Sequence, residues 1–382
     1  MSKITNSSLR AVLPSTFPSE KETVFIDLIF ASKVDFPILI REWLEKTDLQ
    51  SESPSILNLL PALQQKVYDH GSDELENSTI KGAYKLAWLR NQLLIQSFKE
   101  VGHRMSAQKI PFVVSKGVPI LLQVYKNYGA RLMTDIDIYI APDYLKQAIE
   151  VLLNCGWTST NTWAPINKMT VPELKQLFGF EITFKNKQDS RLDLHFSMKR
   201  GFSDEQIPFS LSTFSKGGTI EASLGDCCTF PNLEKLFIHL LLHGSEDFHT
   251  LHSVKWVVDS LEIIQSNQLN WNQLLVDIKE LNVEFQMKIV LFYLKNQFNL
   301  CFPDIILEFL PHQLDYEAIQ KYYNVKASPK KSILGKFPSV WKVFRKYEEG
   351  AIVDFFAFFK KVYNIDHNRD LLLKVSRILK NY

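Results

Sequence analysis

The chain has 382 residues, 46% of them hydrophobic, with 44 Lys and Arg against 42 Asp and Glu for a net charge of +2. That is apolar material enough for two or three domains with sizeable cores, and a charge too even to argue for or against nucleic acid by itself. Cys155, Cys227, Cys228 and Cys301 lack the spacing of a disulfide framework or a zinc knuckle and suit a reducing, cytoplasmic setting. No uncharged apolar run reaches the roughly 18 residues of a membrane span, and Lys3 and Arg10 flank no apolar stretch of a cleaved secretion signal.

Residues 1–105 read as a helical section. Phe25 to Phe30, Ile38 to Leu44, Ile56 to Val67 and Tyr84 to Val101 carry apolar residues at three-and-four spacing, and polar stretches at 47–54 and 71–78 separate them. A compact mixed core is expected over 106–225. Pro111 to Val114 is a short β-branched strand, followed by the turn Ser115-Lys116-Gly117 and a helix through Ile120, Leu121, Val124 and Tyr125 that stops near Gly129. Arg131 to Ile140 then reads as a strand with Asp135 and Asp137 on one face and Ile136, Ile138 and Ile140 on the other. A helix with Leu145, Ala148, Ile149 and Leu152 ends before Gly156, a plausible C-cap. Phe180 to Phe184 and Arg191 to Phe196 flank a polar turn as a hairpin, which puts Asp193 and His195 opposite Leu192, Leu194 and Phe196.

Helices return over 226–325, with Leu233, Leu236, Phe237, Leu240 and Leu241 on one stripe and Val254, Val257, Val258 and Leu261 on another. Residues 328–331 look like a linker into a basic, aromatic helical segment. From 326 to 382 there are 13 Lys and Arg against 5 Asp and Glu, a local +8 that leaves −6 for the first 325 residues. There Lys342, Arg345, Lys346, Lys360 and Lys361 alternate with Trp341, Phe344, Tyr347 and Phe358. Such a mix can bind nucleic acid, but an amphipathic helix packed on the body is favoured.

Two aspartates side by side on a strand repel each other unless a cation sits between them, and a divalent metal is the obvious candidate; the bland alternative is a solvated strand face. The order Lys116-Gly117, Arg131-x-Met133-x-Asp135-Ile-Asp137 and Asp193-x-His195 resembles a group of uncharacterised bacterial nucleotidyltransferases within the superfamily built on the DNA polymerase β-like fold. The resemblance implies an α+β fold: a nucleotidyltransferase-type mixed β-sheet core with helices, flanked by N-terminal and C-terminal helical sections. It also implies transfer of a nucleoside monophosphate from an NTP to an acceptor hydroxyl. Asp135 and Asp137 would hold two Mg2+ ions, and Asp193 would ligate the ion that activates the acceptor. Lys116 and the backbone at Gly117 would take the triphosphate, with Arg131 bracing a phosphate or pairing with an aspartate. The wider superfamily has Gly-Ser at this turn; here Val118 follows Gly117, so the triphosphate would rest on Lys116 and backbone groups.

His195 is expected as a structural or orienting partner beside Asp193 rather than a base. His239, His243, His249 and His252 have partial zinc spacing, but Leu240 stands where a zinc protease carries Glu, so hydrogen-bonded histidines are expected. Trp256-x-x-Asp259 matches the same group and would wall the nucleotide site. Two rivals compete with the enzyme: a non-catalytic nucleotide- or RNA-binding regulatory module on the same fold, and an interaction protein with a degenerate site. The acceptor, whether small molecule, peptide, protein or RNA, has no signature in the sequence.

Overall fold

The computed structural model describes residues 13, 15–71, 77–162, 164–196, 211–246, 254–327 and 346–347. His249, His252 and the C-terminal basic segment other than Lys346 and Tyr347 lie outside the described residues.

Seven short strands build the centre: β1 Phe112–Ser115, β2 Asp135–Ile140, β3 Thr158–Ser159, β4 Glu181–Lys185, β5 Arg191–His195, β6 Thr219–Ile220 and β7 Cys228–Phe230. They form one mixed sheet in the order β3-β4-β5-β2-β1-β7-β6, with β2 parallel to β5, β1 parallel to β7 and the other neighbours antiparallel. The fold is the expected α+β arrangement. The β4–β5 hairpin closes through Asn186, whose side chain accepts from the backbone N–H groups of Gln188 and Ser190.

Side-chain alternation gives the sheet two unlike faces. Ile136, Ile138, Ile140, Ile182, Phe184, Leu192 and Leu194 are buried on one, against Leu94, Ile95, Phe98, Val101 and Met105 of the helix Ser78–Ala107 and the stripe Leu145, Ala148, Ile149 and Leu152 of Leu145–Asn154. Each fully buried Leu, Ile or Phe contributes roughly 1.5–3 kcal/mol, so this face anchors the strands. The opposite face carries Ser115, Asp135, Asp137, Tyr139, Asp193 and His195 and meets the helix Leu233–Glu246 through His239.

The remaining helices form a second cluster in which Phe25, Phe36 and Leu63 of the front section share one core with Phe237, Val257, Met287 and Tyr293. The front section is therefore tied to the later helices: Trp256 donates to the Thr16 carbonyl at 3.1 Å, and the Thr16 hydroxyl donates to the Ser245 carbonyl at 2.8 Å. The helix Ser78–Ala107 serves both cores, with Ile80 in the helical cluster and Leu94 to Met105 under the sheet. At 1.5 Å per residue its 30 residues reach about 45 Å, enough to span both.

Local departures from the sequence reading have local causes. Ile56 to Val67 is two helices, Pro54–Leu57 and Leu60–His70, because Pro61 has no N–H to return to the preceding turn. The strand with the two aspartates begins at Asp135 rather than Arg131, since Asn91 of the long helix ties the preceding residues into a loop. Its amide donates to the Tyr128 and Arg131 carbonyls at 2.7 and 2.6 Å, and its carbonyl accepts from Met133 N–H at 3.0 Å. The helix after Gly117 is one α turn, Gly117–Pro119, running into a π-helical stretch, Ile120–Tyr125, that stops at left-handed Lys126. Lys346 and Tyr347 pack on the helix Val171–Phe178, donating to Glu173 at 2.6 and 2.9 Å.

Candidate active site

β2 and β5 run parallel with Asp137 opposite Asp193, so strand pairing itself brings the second and third aspartates side by side. Asp135 lies two residues back along β2 on the same face. Asp137 is 4% exposed, which makes its partners decisive. Lys116 Nζ donates to its Oδ1 at 2.5 Å and His195 Nε2 lies 2.9 Å from the same oxygen. Burial alone would raise the Asp137 carboxyl, but the Lys116 ammonium and the His195 contact outweigh it and hold the group well below the usual range. Asp137 in turn raises the Lys116 ammonium against the pull of burial.

Asp135 has no such cation. Burial, with the charges of Asp137 and Asp193 adding to it, raises its carboxyl from 3.8 to about 6. On Asp193, Oδ1 is buried and has no hydrogen-bond partner among the described residues. An unpaired buried carboxylate oxygen costs free energy on the order of 1–3 kcal/mol or more, which a cation at this place would offset.

His195 is oriented from three sides. Its Nδ1 lies 3.2 Å from Glu181 Oε2 on β4, its Nε2 faces Asp137, and its ring stacks on Tyr139 with centroids 4.4 Å apart and an 8° interplanar angle. The sequence reading put His195 beside Asp193. It does share that face, but its hydrogen bond goes across the sheet to Asp137. Asp137, Asp193 and His195 each offer a ligand atom, all within 4.8 Å of one another. Two carboxylates and an imidazole whose far nitrogen meets a carboxylate make a donor set that fits a divalent cation.

Lys116 holds φ 56 and ψ −113, a left-handed-side conformation that costs a non-glycine residue about 1–3 kcal/mol. Its ammonium rests on Asp137 Oδ1 in this arrangement. Gly117 permits a close approach: a Cβ there would lie 3.1 Å from both Arg131 Nη1 and Met133 Sδ. Arg131 pairs with neither Asp135 nor Asp137. Its Nε donates to both oxygens of buried Asp259, at 2.9 and 3.0 Å, and the Tyr125 hydroxyl donates to Asp259 at 2.9 Å. Asp259 thus reaches the Arg131 loop from the helix Lys255–Gln265, while Trp256 of the same motif packs in the helical core.

His239 is buried, with Nδ1 3.0 Å from Ser115 Oγ and Nε2 3.3 Å from the Tyr139 hydroxyl. Burial, then Lys116, push its pKa down to about 3, so it is a neutral hydrogen-bonding wall of the site, as the expectation for this helix had it. Sequence reasoning missed Asn91, Glu181, Tyr125 and Lys255. Only Glu181, at the start of the predicted hairpin strand and in register with His195, left a signal that pattern reading could use.

A family model described as an uncharacterised nucleotidyltransferase matches residues 57–299, more than half of the chain and the whole of the sheet. No curated protein and no solved structure matches.

Proposed function

The chain belongs to this uncharacterised nucleotidyltransferase family, and on that premise we propose that it moves a nucleoside monophosphate from an NTP to an acceptor hydroxyl in a Mg2+-dependent reaction. The observation that carries the proposal is the pairing of Asp137 with Asp193 across β2 and β5, one oxygen of Asp193 being buried without a donor among the described residues. Asp135 and Asp137 are assigned as the carboxylates that hold two ions, with Asp193 sharing the one on the acceptor side. Bound divalent ions would neutralise the triphosphate and make the acceptor hydroxyl nucleophilic.

The chain's own groups do the remaining work. Asp137 carries Lys116 on a strained backbone beside the Gly117 turn, where the ammonium would serve the β- or γ-phosphate. The acceptor oxygen bonds to the α-phosphorus, the bond to the β-phosphate oxygen breaks, pyrophosphate leaves and the hydroxyl proton passes to solvent. His195, held by Glu181 and Tyr139, keeps Asp137 in place.

Purified protein given α-labelled ATP, GTP, CTP or UTP with candidate acceptors should transfer label or release pyrophosphate only with Mg2+. Asp135→Ala combined with Asp137→Ala should abolish it. Equal behaviour of wild type and double variant across the acceptors would sink the proposal.

A further inference from the structure

The helix Lys255–Gln265 brings a cation to the site that the transfer chemistry leaves unused. Lys255 is its first residue, behind Val254, an N-cap with no side-chain capping bond. A lysine here adds positive charge to the positive end of the helix dipole, the reverse of what helix stability favours. The ammonium is nonetheless turned inward, 3.3 Å from the Leu132 carbonyl, which among the described residues is its hydrogen-bond partner. Three N–H donors face that single acceptor.

The carboxylates near enough to act on Lys255 are Asp259 and Asp135, yet neither pairs with it. Both oxygens of Asp259 are occupied by Arg131, and Tyr125 adds a third donor. Arg131 itself adds like charge, and burial with that repulsion lowers the Lys255 ammonium to about 8. Lys255 and Asp259 stand one helical turn apart, so a single helix face sets one cation against Leu132 and clamps a second, Arg131, against Gly117. Asn91 holds the backbone between them. A half-buried ammonium with one carbonyl partner, beside a clamped guanidinium, gains little structurally by itself; a polyanion between them satisfies both.

We propose that Lys255 and the Asp259-clamped Arg131 form the seat of the polyphosphate tail of the nucleotide. The assignment rests on the nucleotidyl-transfer reading of the same site.

Inorganic tripolyphosphate is the probe, titrated calorimetrically in Mg2+ into the full chain, with ATP, GTP, CTP and UTP in parallel. Lys255→Met should weaken tripolyphosphate about ten- to hundredfold, as expected for losing a charge-assisted contact, while Lys255→Arg should stay within about threefold of wild type. The ligand-free Lys255→Met protein should melt no lower than wild type, which a lysine kept for packing would not permit; Lys255→Gln serves if Met fails to fold. Tripolyphosphate binding unchanged in the Met or Gln variant overturns the assignment, as does a lowered melting point with affinity that Arg does not restore. If wild type binds neither tripolyphosphate nor any NTP, the nucleotidyl-transfer reading fails and takes this seat with it; wild-type binding with an indifferent Lys255 removes the seat alone.

Discussion

Replacing Asp135 with Asn should make the metal-free protein more stable at neutral pH, although it removes a residue assigned to the chemistry. Asp135 is raised from 3.8 to about 6 by burial, then by Asp137 and Asp193. The folded state therefore holds a proton that the unfolded state has already released between those two values. Stability falls as pH rises through that window and the penalty is complete above about 6. Roughly two pH units at 1.36 kcal/mol each give about 3 kcal/mol as an upper figure. Asn carries no charge at any pH, so the variant should match wild type near pH 4 and exceed it at pH 7.5. With unfolding entropy of ~2.1 cal/mol/K per residue, the 382-residue chain loses about 1 kcal/mol per degree, so the gain is about 3–4 °C if it melts as one unit. Thermal melts in EDTA at pH 4.5, 6 and 7.5 measure it. Adding Mg2+ should stabilise wild type more than Asp135→Asn, which keeps Asp137, Asp193 and His195 but loses one carboxylate. A variant less stable than wild type at pH 7.5 in EDTA, or a difference that does not change with pH, would refute the reasoning.

Three further outcomes follow from the geometry. Asn91→Leu orphans the Tyr128 and Arg131 carbonyls and the Met133 N–H; at about 1 kcal/mol or more per bond it should cost roughly 3 kcal/mol in urea unfolding and weaken NTP binding by loosening the Arg131 loop. Arg131→Met leaves Asp259 buried beside Tyr125 without its guanidinium and should cost about 3–5 kcal/mol. Adding Asp259→Leu should recover much of that loss, and a double-mutant cycle with no coupling would contradict the pairing. His239 is held neutral, with its pKa lowered from 6.5 to about 3, so the unfolded chain takes up a proton in that window that the folded chain refuses and the His239 contribution to stability declines as pH falls through it, opposing that of Asp135 where the windows overlap. His239→Gln, which keeps partners for Ser115 and Tyr139, should flatten that decline in melts between pH 6.5 and 4; an identical slope would exclude His239 as its source.

The strand with the two aspartates was legible because a two-residue period sorts side chains without reference to the rest of the molecule. Asp135 and Asp137 opposite Ile136 and Ile138, and Asp193 opposite Leu192 and Leu194, follow from alternation alone. Lys116-Gly117 was legible as a turn but not as to where its cation rests, since a lysine side chain has rotamers enough to reach either a phosphate or Asp137. Arg131 illustrates the same gap: its partner Asp259 lies 128 residues on, and nothing in local spacing connects the two.

By itself, then, the sequence determined the α+β class, the faces of the strands and the three aspartates, because these depend on hydrophobic periodicity and on residue type at close spacing. Tertiary structure alone decided that β2 and β5 are parallel neighbours with Asp137 opposite Asp193, and that Asn91 pins the loop ahead of Asp135. It also decided that Lys255 and Asp259 reach the site from a helix beyond the sheet. These juxtapositions arise when two hydrophobic cores pack around one long helix, and burial then forces each polar group left at their junction to find a partner, however distant in the chain.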